Sequence, residues 1–531
     1  MKLFIALFIL LLLTACGGGS STATNNMADD QNSQPSQQEQ QNSSASDNSS
    51  TSTSNWQEGV YQSSKTFANR CANPRTNGRY QDILGTVTDE NNWIRSMSHE
   101  IYLWYRELPD IDPAEVQNPI DYFNQMKTST KTASGRDKDQ FHFTMDTEEY
   151  FKVVQSGISA NYGAKYIVTN TWPKRVFIAY ISVGSPAHNA NIDRGAEILA
   201  IDGLYLNNIS PQQYTDIIVK YLAPSELGET HSFVIRDLNA INPRTVQLTS
   251  AEVTEIPVYQ TKVITQNDKK IGYLVLNTFL VATAEDQLIS AVNSLRQQNI
   301  DELILDLRYN SGGLLKISAA LGTMIAGNQA TGRVYEEIFF NDKHSVFNPI
   351  TGDLLSPVNF PGVASENSNN EGTSLPKLNL SKVYVLSTGN TASASEALIN
   401  GLRGIDIDVI LIGENTRGKP YGYYGLDNCG TAYFTIQFKG QNAKGYGDYA
   451  DGFIPSVVDN GEDRVLGCRV SDDLSRELGN SDENMLATAL HFIENDSCPT
   501  TASNGFSKSP HRLSTVSGEL LRSFPMGTII Q

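Results

Sequence analysis

The second half of the chain alternates between short apolar strands and amphipathic helices, and this alternation restricts the fold more than any other feature. Strand-like runs occur at Ile271–Leu276, Leu303–Leu307, Val383–Leu386 and Val409–Ile412. Parallel strands need long crossover connections, which are usually helices. The pattern therefore predicts a mostly parallel sheet that is covered by helices.

Two helices between these strands are predicted from local signals. Thr283 is expected to cap a helix that buries Leu288, Val292 and Leu295, which recur at spacings of three and four. A second helix is expected over Ala394–Arg403. Together with the strands, these helices predict an α/β core in the region 258–500.

The first residues predict an export signal. Lys2 is followed by the uninterrupted apolar run Leu3–Leu13. Eleven helical residues cover about 16 Å, which is roughly half of a bilayer core, so the run is typical of a signal peptide and not of a membrane-spanning helix. Residues 17–55 lack Lys, Arg, aromatic residues, Leu, Ile and Val. Such a segment cannot bury enough apolar surface to fold, so it is predicted to be a disordered tether.

The residues Leu13-Thr14-Ala15-Cys16 resemble the lipobox of bacterial lipoproteins. This resemblance implies that the Cys16 thiol carries a diacylglycerol anchor, whereas an ordinary signal peptide with an incidental cysteine is the alternative. Gly17 rather than Asp follows the cysteine. By similarity to Gram-negative lipoproteins, this favours an outer-membrane anchor that faces the periplasm or the cell surface.

Two further regions lie between the tether and the α/β core. Residues 56–160 are predicted to be mainly helical, with an amphipathic helix over Trp93–Leu108 that Pro109 ends. Residues 163–257 contain several strand-like runs and a helix from an N-cap at Ser210 to Leu222.

The central part of the second region resembles a PDZ domain. The resemblance rests on Gly184-Ser185-Pro186-Ala187 and on the stretch Asp193–Gly203, where a strand ends in an Asp-Gly turn. It implies that an extended peptide binds as an added strand and that backbone N–H groups hold its carboxylate. The loop at Gly163 and Ala164 is the expected carboxylate site, although it matches the family poorly.

Three stretches of the α/β core carry residues suited to catalysis. Gly312 and Gly313 follow a strand, and glycines there let backbone N–H groups approach a ligand, although they also serve packing. Ser393 precedes a helix whose N-terminus favours negative charge, although serine is also a common cap. Lys419 lies in a Gly-rich turn, where a lysine acts as a general base only if burial lowers its pKa.

Taken together, the three stretches resemble the C-terminal processing peptidases, also called tail-specific proteases, over about residues 80–490. The resemblance implies a ClpP/crotonase-like peptidase fold and a serine-type endopeptidase that acts on exported or unfolded proteins. It assigns Ser393 as the nucleophile and Lys419 as the general base of a Ser–Lys dyad. It also places the oxyanion between the N–H of Ala394 and that of Gly312 or Gly313.

The lysine loop departs from the family at two positions. Members often carry a Gln four residues after the lysine, but Tyr423 stands there in this chain. Tyr423 is therefore the candidate third residue that supports the dyad. Pro420 replaces the usual glycine after the lysine, so the shape of the loop is expected to differ.

Other classes of function are disfavoured by composition and by motif. The net charge is −18 without a long basic run, which argues against nucleic-acid binding. The chain contains neither a GxSxG elbow nor an HExxH motif, so neither a Ser-His-Asp hydrolase nor a metal or cofactor is predicted. The rival function is a catalytically silent lipoprotein that binds peptides or C-termini in the periplasm.

Four cysteines follow Cys16, namely Cys71, Cys429, Cys468 and Cys498. In an oxidising compartment this even number predicts two disulfides, and three pairings are possible. We favour Cys429 with Cys468 and Cys71 with Cys498, because the termini of a domain often lie close together.

The sequence therefore predicts a multidomain α+β protein. Its parts are a signal peptide and lipobox at 1–16, a tether at 17–55, a helical region at 56–160, a PDZ-like domain at 163–257, a peptidase domain at 258–500 and a polar tail at 501–531.

Overall fold

The computed structural model describes residues 56–224, 226–458 and 461–500, together with the short segments 518–521 and 528–529. The predicted signal peptide, Cys16 and the tether lie outside the described residues, as does most of the predicted tail. No helix within the described ranges has the length and the apolar character needed to cross a membrane.

The α-helices of the described residues are distributed along the chain. They are α1 Val87–Ile101, α2 Pro119–Gln125, α3 Thr147–Ser156, α4 Pro186–Asn189, α5 Pro211–Leu222, α6 Ala284–Gln297, α7 Leu315–Ala326, α8 Ala394–Gly404 and α9 Asn484–Asn495.

The strands are distributed along the whole described chain. The first are β1 Arg70–Cys71, β2 Ile83–Leu84, β3 Phe143–Asp146, β4 Ile158–Asn161, β5 Ala164–Thr169, β6 Val176–Ile181, β7 Glu197–Ile201, β8 Leu204–Tyr205, β9 Thr230–Arg236, β10 Arg244–Thr249 and β11 Ala251–Thr254. Then come β12 Val258–Gln266, β13 Lys269–Leu276, β14 Glu302–Asp306, β15 Val334–Phe339, β16 Val358–Asn359, β17 Lys382–Ser387 and β18 Asp408–Gly413. The last are β19 Tyr421–Tyr423, β20 Leu426–Asn428, β21 Thr431–Phe434, β22 Phe438–Gln441, β23 Ile454–Ser456, β24 Arg464–Arg469, β25 Gly518–Leu521 and β26 Thr528–Ile529.

A seven-stranded sheet of order β12-β13-β14-β17-β18-β24-β23 forms the centre of the α/β core. The β12–β13 pair is antiparallel, whereas the five other pairs are parallel. The four predicted core strands are confirmed as β13, β14, β17 and β18, with ends that differ by one or two residues.

The prediction of a mostly parallel sheet in the α/β core holds for this central sheet, whereas the other large sheets are mainly antiparallel. The sheet β10-β9-β7-β6-β5-β25 is antiparallel throughout, and in β16-β15-β22-β19-β26 only the last pair is parallel. Strands β15 and β16 are connected without an intervening helix, as are β19 and β22, and both pairs are antiparallel.

The central sheet separates two hydrophobic layers, because successive side chains of a strand point to opposite faces. On one face, Leu274 and Leu305 pack against helices α6, α7 and α8. On the other face, Tyr273 and Ile304 pack with Met485 and other residues of α9. The predicted Leu288, Val292 and Leu295 of α6 are fully buried. Thr283 occupies the N-cap of α6, but its side chain accepts no capping hydrogen bond.

The antiparallel sheet packs its two faces differently. Val176 and Ile178 of β6 join a core that includes Ile218 of α5 and Phe233 of β9. Phe177, between them, faces the layer that contains α9. The sheet is therefore attached directly to the α/β core. The predicted helix from Ser210 to Leu222 is confirmed as α5.

The N-terminal region is interwoven with the later chain. The helix predicted over Trp93–Leu108 is α1, which begins earlier because Thr86 and Asp89 form a capping box, and which ends at Ile101. Strand β3 pairs with β21 of the α/β core, and β4 pairs with β11. The predicted limits 56–160, 163–257 and 258–500 stay predictions.

The disulfides join Cys71 to Cys429 and Cys468 to Cys498. The favoured pairing of Cys429 with Cys468 and of Cys71 with Cys498 is therefore wrong. Cys71 lies in β1, and Asn428 precedes Cys429 in the chain. The N–H of Asn69, just before β1, donates a hydrogen bond to Asn428 Oδ1 at 2.8 Å, which holds the two cysteines close together. Cys498 follows α9, which packs on the central sheet that contains Cys468 in β24. Tertiary packing brings these pairs together, not the proximity of domain termini.

We expect a digest of the non-reduced protein to release one peptide pair that joins Cys71 to Cys429 and another that joins Cys468 to Cys498. The first bond spans 358 residues and the second spans 30. Since the entropy of loop closure rises with loop length, the double variant Cys71→Ser/Cys429→Ser should lose about 2 kcal/mol more unfolding free energy than Cys468→Ser/Cys498→Ser. A linked peptide that joins Cys429 to Cys468 would contradict this arrangement.

Candidate active site

The three stretches singled out in the sequence follow neighbouring strands of the central sheet. Strand β14 ends at Asp306, β17 at Ser387 and β18 at Gly413, and β17 lies between the other two. The three strands are parallel. Their carboxyl ends therefore lie at one edge of the sheet, where ligands of α/β proteins usually bind.

Ser393 occupies the N-cap of α8 in an uncommon backbone conformation, with φ of 60° and ψ of −116°. Only 1% of the residue is exposed. Its N–H donates a hydrogen bond to Glu396 Oε2 at 2.8 Å. A positive φ is costly for a residue with a Cβ and persists where the surroundings impose it, often at functional sites.

The carboxylate of Glu396 holds the serine turn and the lysine loop together. Its Oε2 accepts hydrogen bonds from the N–H of Ser393 at 2.8 Å and of Lys419 at 2.9 Å. Its Oε1 accepts from the N–H of Gly418 at 2.7 Å and from the Thr416 hydroxyl at 2.6 Å. Burial raises the pKa of Glu396, whereas these four hydrogen bonds act in the opposite direction. One buried side chain thus fixes the backbones of both candidate dyad residues.

Lys419 is 2% exposed and its side-chain nitrogen lies against two aromatic rings. Its Nζ lies 4.2 Å from the ring centroid of Tyr423 and 4.7 Å from that of Phe141. Ring faces attract a cation while they exclude water from it. The contact with Tyr423, the candidate third residue, is therefore made through the ring face.

The Gly-Gly turn lies directly against the serine turn. A Cβ on Gly312 would stand 2.8 Å from Ser393 Cβ and 3.0 Å from Ala394 N, and a Cβ on Gly313 would stand 2.2 Å from Leu280 N. Both glycines have positive φ, 108° and 139°. Only glycine fits these two positions. The close contacts of Gly312 also show that the Gly-Gly turn lies next to Ser393 and Ala394.

Asn310 fastens this turn to the serine turn. Its Oδ1 accepts a hydrogen bond from Gly312 N–H at 2.9 Å, and its backbone carbonyl accepts from Ala392 N–H at 3.1 Å. The Gly312 N–H therefore already has an acceptor, which distinguishes it from Gly313 as a donor to a substrate.

The lysine loop is held from its other side by the stretch 451–455. Thr416 N–H donates to the Phe453 carbonyl at 3.0 Å, and Phe453 N–H donates to Thr416 Oγ1 at 2.7 Å. A Cβ on Gly452 would stand 2.1 Å from the Thr416 carbonyl oxygen, and one on Gly418 would stand 2.3 Å from that of Ala450. This close approach of two backbones explains the glycines in both loops.

A buried ionic cluster fixes the strand end that leads to the Gly-Gly turn. Arg308, which is 1% exposed, donates to Asp306, Asp472 and Glu483 at 2.8 to 3.1 Å. Burial works against its charge, but these carboxylates hold the pKa of Arg308 well above its ordinary value. Arg194, from the segment before β7, joins the cluster through Asp472 at 2.8 Å.

The predicted peptide loop is a separate feature at the start of β5. Gly163 has φ of 75°, and a Cβ there would lie 2.0 Å from Ser185 Cβ. Its N–H donates to Asn161 Oδ1 at 2.6 Å. Ala164 is the first residue of β5. Carboxylate binding at these two residues stays a prediction.

Two residues of the site were not assigned a role from the sequence. The spacing of Ser393 and Glu396 is that of a capping box, and this signal was enough to find Glu396. Phe141 comes from the N-terminal region, 278 positions before Lys419, and no local pattern indicates that it contacts the lysine.

Two regions of the chain are similar to known peptidases. Residues 270–423 match peptidase family S41, and residues 89–143 match the N-terminal domain of S41 peptidases. These matches support a serine-type peptidase class. The chain is therefore similar to S41 peptidases in two regions, and it is also similar in sequence to carboxyl-terminal processing peptidases.

Individual relatives support the same placement. A carboxyl-terminal-processing protease of Picosynechococcus sp. is 30% identical over 237 residues, which are 44% of this chain and 49% of the relative. A chloroplastic C-terminal processing peptidase of Tetradesmus obliquus is 28% identical over 46% of this chain and 48% of the relative. The chain thus spans about half the length of these curated relatives.

A solved structure shares the fold. A protein of Bacteroides fragilis that is assigned to the S41 proteases superposes with a TM-score of 0.55. The match covers 80% of this chain and 100% of that chain, at 24% identity.

We expect Glu396→Gln to lower the free energy of unfolding by about 1–3 kcal/mol. In either orientation the new amide NH₂ group faces at least one backbone N–H donor, so a buried hydrogen bond is replaced by a donor–donor contact. Urea titration of the full chain measures the effect. Glu371→Gln, at an exposed glutamate, is the matched control and should leave the unfolding midpoint unchanged. Equal midpoints for the two variants would contradict the role given to Glu396.

Proposed function

We propose that the protein is a serine endopeptidase of the carboxyl-terminal processing type, which cleaves exported or unfolded proteins with Ser393 and Lys419. The observation that carries this proposal is the shared acceptor Glu396 Oε2, which receives the N–H groups of both residues. The S41 match over 270–423 includes both residues and supports the same chemistry.

In the proposed reaction, Ser393 Oγ attacks the carbonyl carbon of the scissile peptide bond. Lys419 Nζ takes the hydroxyl proton as the new C–O bond forms, and then gives it to the leaving amine when the C–N bond breaks. The product is an acyl-enzyme ester on Ser393. Water then attacks the ester with the lysine again as general base, which releases the acid product and restores the serine.

The tetrahedral oxyanion is assigned to the N–H groups of Ala394 and Gly313. Ala394 begins α8, where unpaired N–H groups and the helix dipole favour negative charge. Gly313 is preferred to Gly312, because Gly312 N–H already donates to Asn310 Oδ1. Preorganised donors of this kind contribute about 3–4 kcal/mol each to transition-state stabilisation.

The region 163–257 is proposed to be a PDZ-like peptide-recognition unit. Support comes from the antiparallel sheet, in which β5 and α5 contribute to one hydrophobic core. An extended substrate would add to β5 as a further strand.

The protein is further proposed to be lipid-anchored through Cys16, with its folded part in the cell envelope. The support is the sequence Leu13-Thr14-Ala15-Cys16 and the tether-like composition of residues 17–55. Such an anchor would hold the peptidase near exported substrates while the tether lets it reach them.

The rival proposal is a catalytically silent protein that binds peptides through the 163–257 region. It requires neither Ser393 nor Lys419. The burial of both residues, and the strained serine backbone that Glu396 maintains, favour the enzyme.

Ser393→Ala and Lys419→Ala should each lower the rate of casein cleavage by at least about 10³-fold, because each removes one member of a unit that acts together. The exposed residues Ser381 and Lys269 provide matched controls as Ser381→Ala and Lys269→Ala, which should retain full activity. Circular dichroism checks that all four variants fold. Equal cleavage by all variants would refute the dyad, and no cleavage by any folded protein across several substrates would favour the silent protein.

Cys16→Ser should move the protein from the membrane fraction to the soluble or uncleaved-precursor fraction, because no thiol remains for lipid attachment. Gly17→Asp is the matched control. It should keep the protein on membranes, but in the inner-membrane fraction on a density gradient. Unchanged outer-membrane fractionation of Cys16→Ser would show that the anchor assignment is wrong.

A further inference from the structure

The C-terminal segment of the chain closes an open sheet edge in the proposed recognition unit. Strand β25 pairs with β5 in antiparallel orientation, with Gly518 opposite Thr169 and Leu521 opposite Tyr166. Without β25, β5 would be the edge strand of the sheet. An edge strand offers unpaired N–H and C=O groups, which are a template for an added strand.

The same segment also closes a second edge, close to the candidate active site. Strand β26 pairs with β19, with Thr528 opposite Gly422 and Ile529 opposite Tyr423. Strand β19 begins two residues after Lys419, and the ring of Tyr423 faces Lys419 Nζ. Strand β26 therefore pairs with β19, the strand that directly follows the lysine loop.

Strand β25 runs along β5 in the same direction as a peptide whose carboxylate is bound at Gly163 and Ala164. Because the pairing is antiparallel, the chain runs from the Thr169 end of β5 towards the end at Ala164 and Gly163. This is the end at which the resemblance to PDZ domains places the carboxylate of a ligand. Strand addition of this kind depends on main-chain hydrogen bonds and accepts many sequences.

One short piece of chain connects the two edges. Leu521 and Thr528 are seven residues apart in sequence, which limits their separation to about 25 Å. A single extended peptide of this length can therefore reach from β5 to β19. A substrate strand that adds to either edge would have to displace this segment.

We propose that the strands 518–521 and 528–529 are intramolecular peptide ligands of β5 and β19, and that they compete with protein substrates for these two edges. The binding part of the proposal stands on the two strand pairings alone. Its consequence for proteolysis rests on the proposed peptidase function.

Tethering makes such a ligand effective even when its intrinsic affinity is weak. A flexible connection within one chain gives an effective concentration of about 1 mM. A segment whose dissociation constant is about 0.1 mM would then occupy the edges about 90% of the time, so its removal would raise substrate access about tenfold.

Peptide binding tests the first part without any need for catalysis. The probe is a fluorescent peptide with the sequence of residues 516–531, and its anisotropy is titrated against two Ser393→Ala proteins. The chain that ends at Thr500 retains Cys498 and should bind the peptide at least about tenfold more tightly than the full chain, in which the tethered segment competes. A peptide with prolines at the positions of Leu520 and Ile529 is the control, and it should bind neither protein.

A second measurement uses the full chain and covers the case in which the shortened protein does not fold. Leu520→Pro/Ile529→Pro removes one N–H from each added strand. Amide hydrogen exchange at 166–169 and 422–423 should become faster in this variant. Ser514→Pro, which lies outside both strands, should leave the exchange unchanged. Equal exchange in the three proteins, or equal peptide binding to the long and short chains, would overturn the proposal.

Proteolysis separates this proposal from the assignment of the catalytic residues. With Ser393 intact, the chain that ends at Thr500 and the Leu520→Pro/Ile529→Pro variant should cleave casein about tenfold faster than the full chain. Faster exchange and tighter peptide binding without any proteolysis would leave the ligand role standing and refute the peptidase function. Proteolysis that is unaffected by either change, with exchange also unaffected, would refute the ligand role and leave the peptidase function standing.

Discussion

The arrangement of the site depends on the ion pairs that the buried Arg308 guanidinium forms with three carboxylates. This guanidinium is shared by the carboxylates of Asp306, Asp472 and Glu483. These residues come from the end of β14, from the chain after β24 and from the N-cap of α9, so one cation joins three separate segments. A buried charge that loses a partner costs about 3–5 kcal/mol, so the cluster holds the strand end in one position. The Gly-Gly turn at Gly312 follows Arg308 by four residues, so its position depends on this strand end. Arg194 extends the same cluster to the antiparallel sheet.

Glu396 repeats this principle on a smaller scale. The three site stretches lie at one sheet edge because β14, β17 and β18 are parallel neighbours, but the sheet alone does not set the distances between their loops. Two carboxylate oxygens set them, through hydrogen bonds to the backbones of Ser393, Gly418 and Lys419. Close backbone contacts at Gly312 and Gly452 complete the frame. Rigid loops of this kind suit a reaction in which a misplacement of about 1 Å costs about 10²-fold in rate.

Local signals in the sequence predicted the local structure well. The strands β13, β14, β17 and β18 follow from short apolar runs, and α5 and α6 follow from apolar spacing and terminal residues. Prediction failed where the partner lay far away in the chain. One local signal was also missed, because the start of α1 is set by a capping box of Thr86 and Asp89 that the apolar stripe did not include. Segments that share no local pattern are joined in the sheet β16-β15-β22-β19-β26 and in both disulfides. The same is true of the contact between Phe141 and Lys419.

The sequence by itself determined the types of residue in the site and their order along the chain. The glycine pair, the serine before a helix and the lysine in a glycine-rich turn are local patterns, because each follows directly from a strand end. Only the tertiary structure decided that Glu396 joins Ser393 to Lys419, that aromatic rings surround the lysine, and that the end of the chain adds to β5 and β19. The physical reason is that hydrogen bonding, burial and strand addition depend on which segments meet in space, and a one-dimensional pattern does not record that.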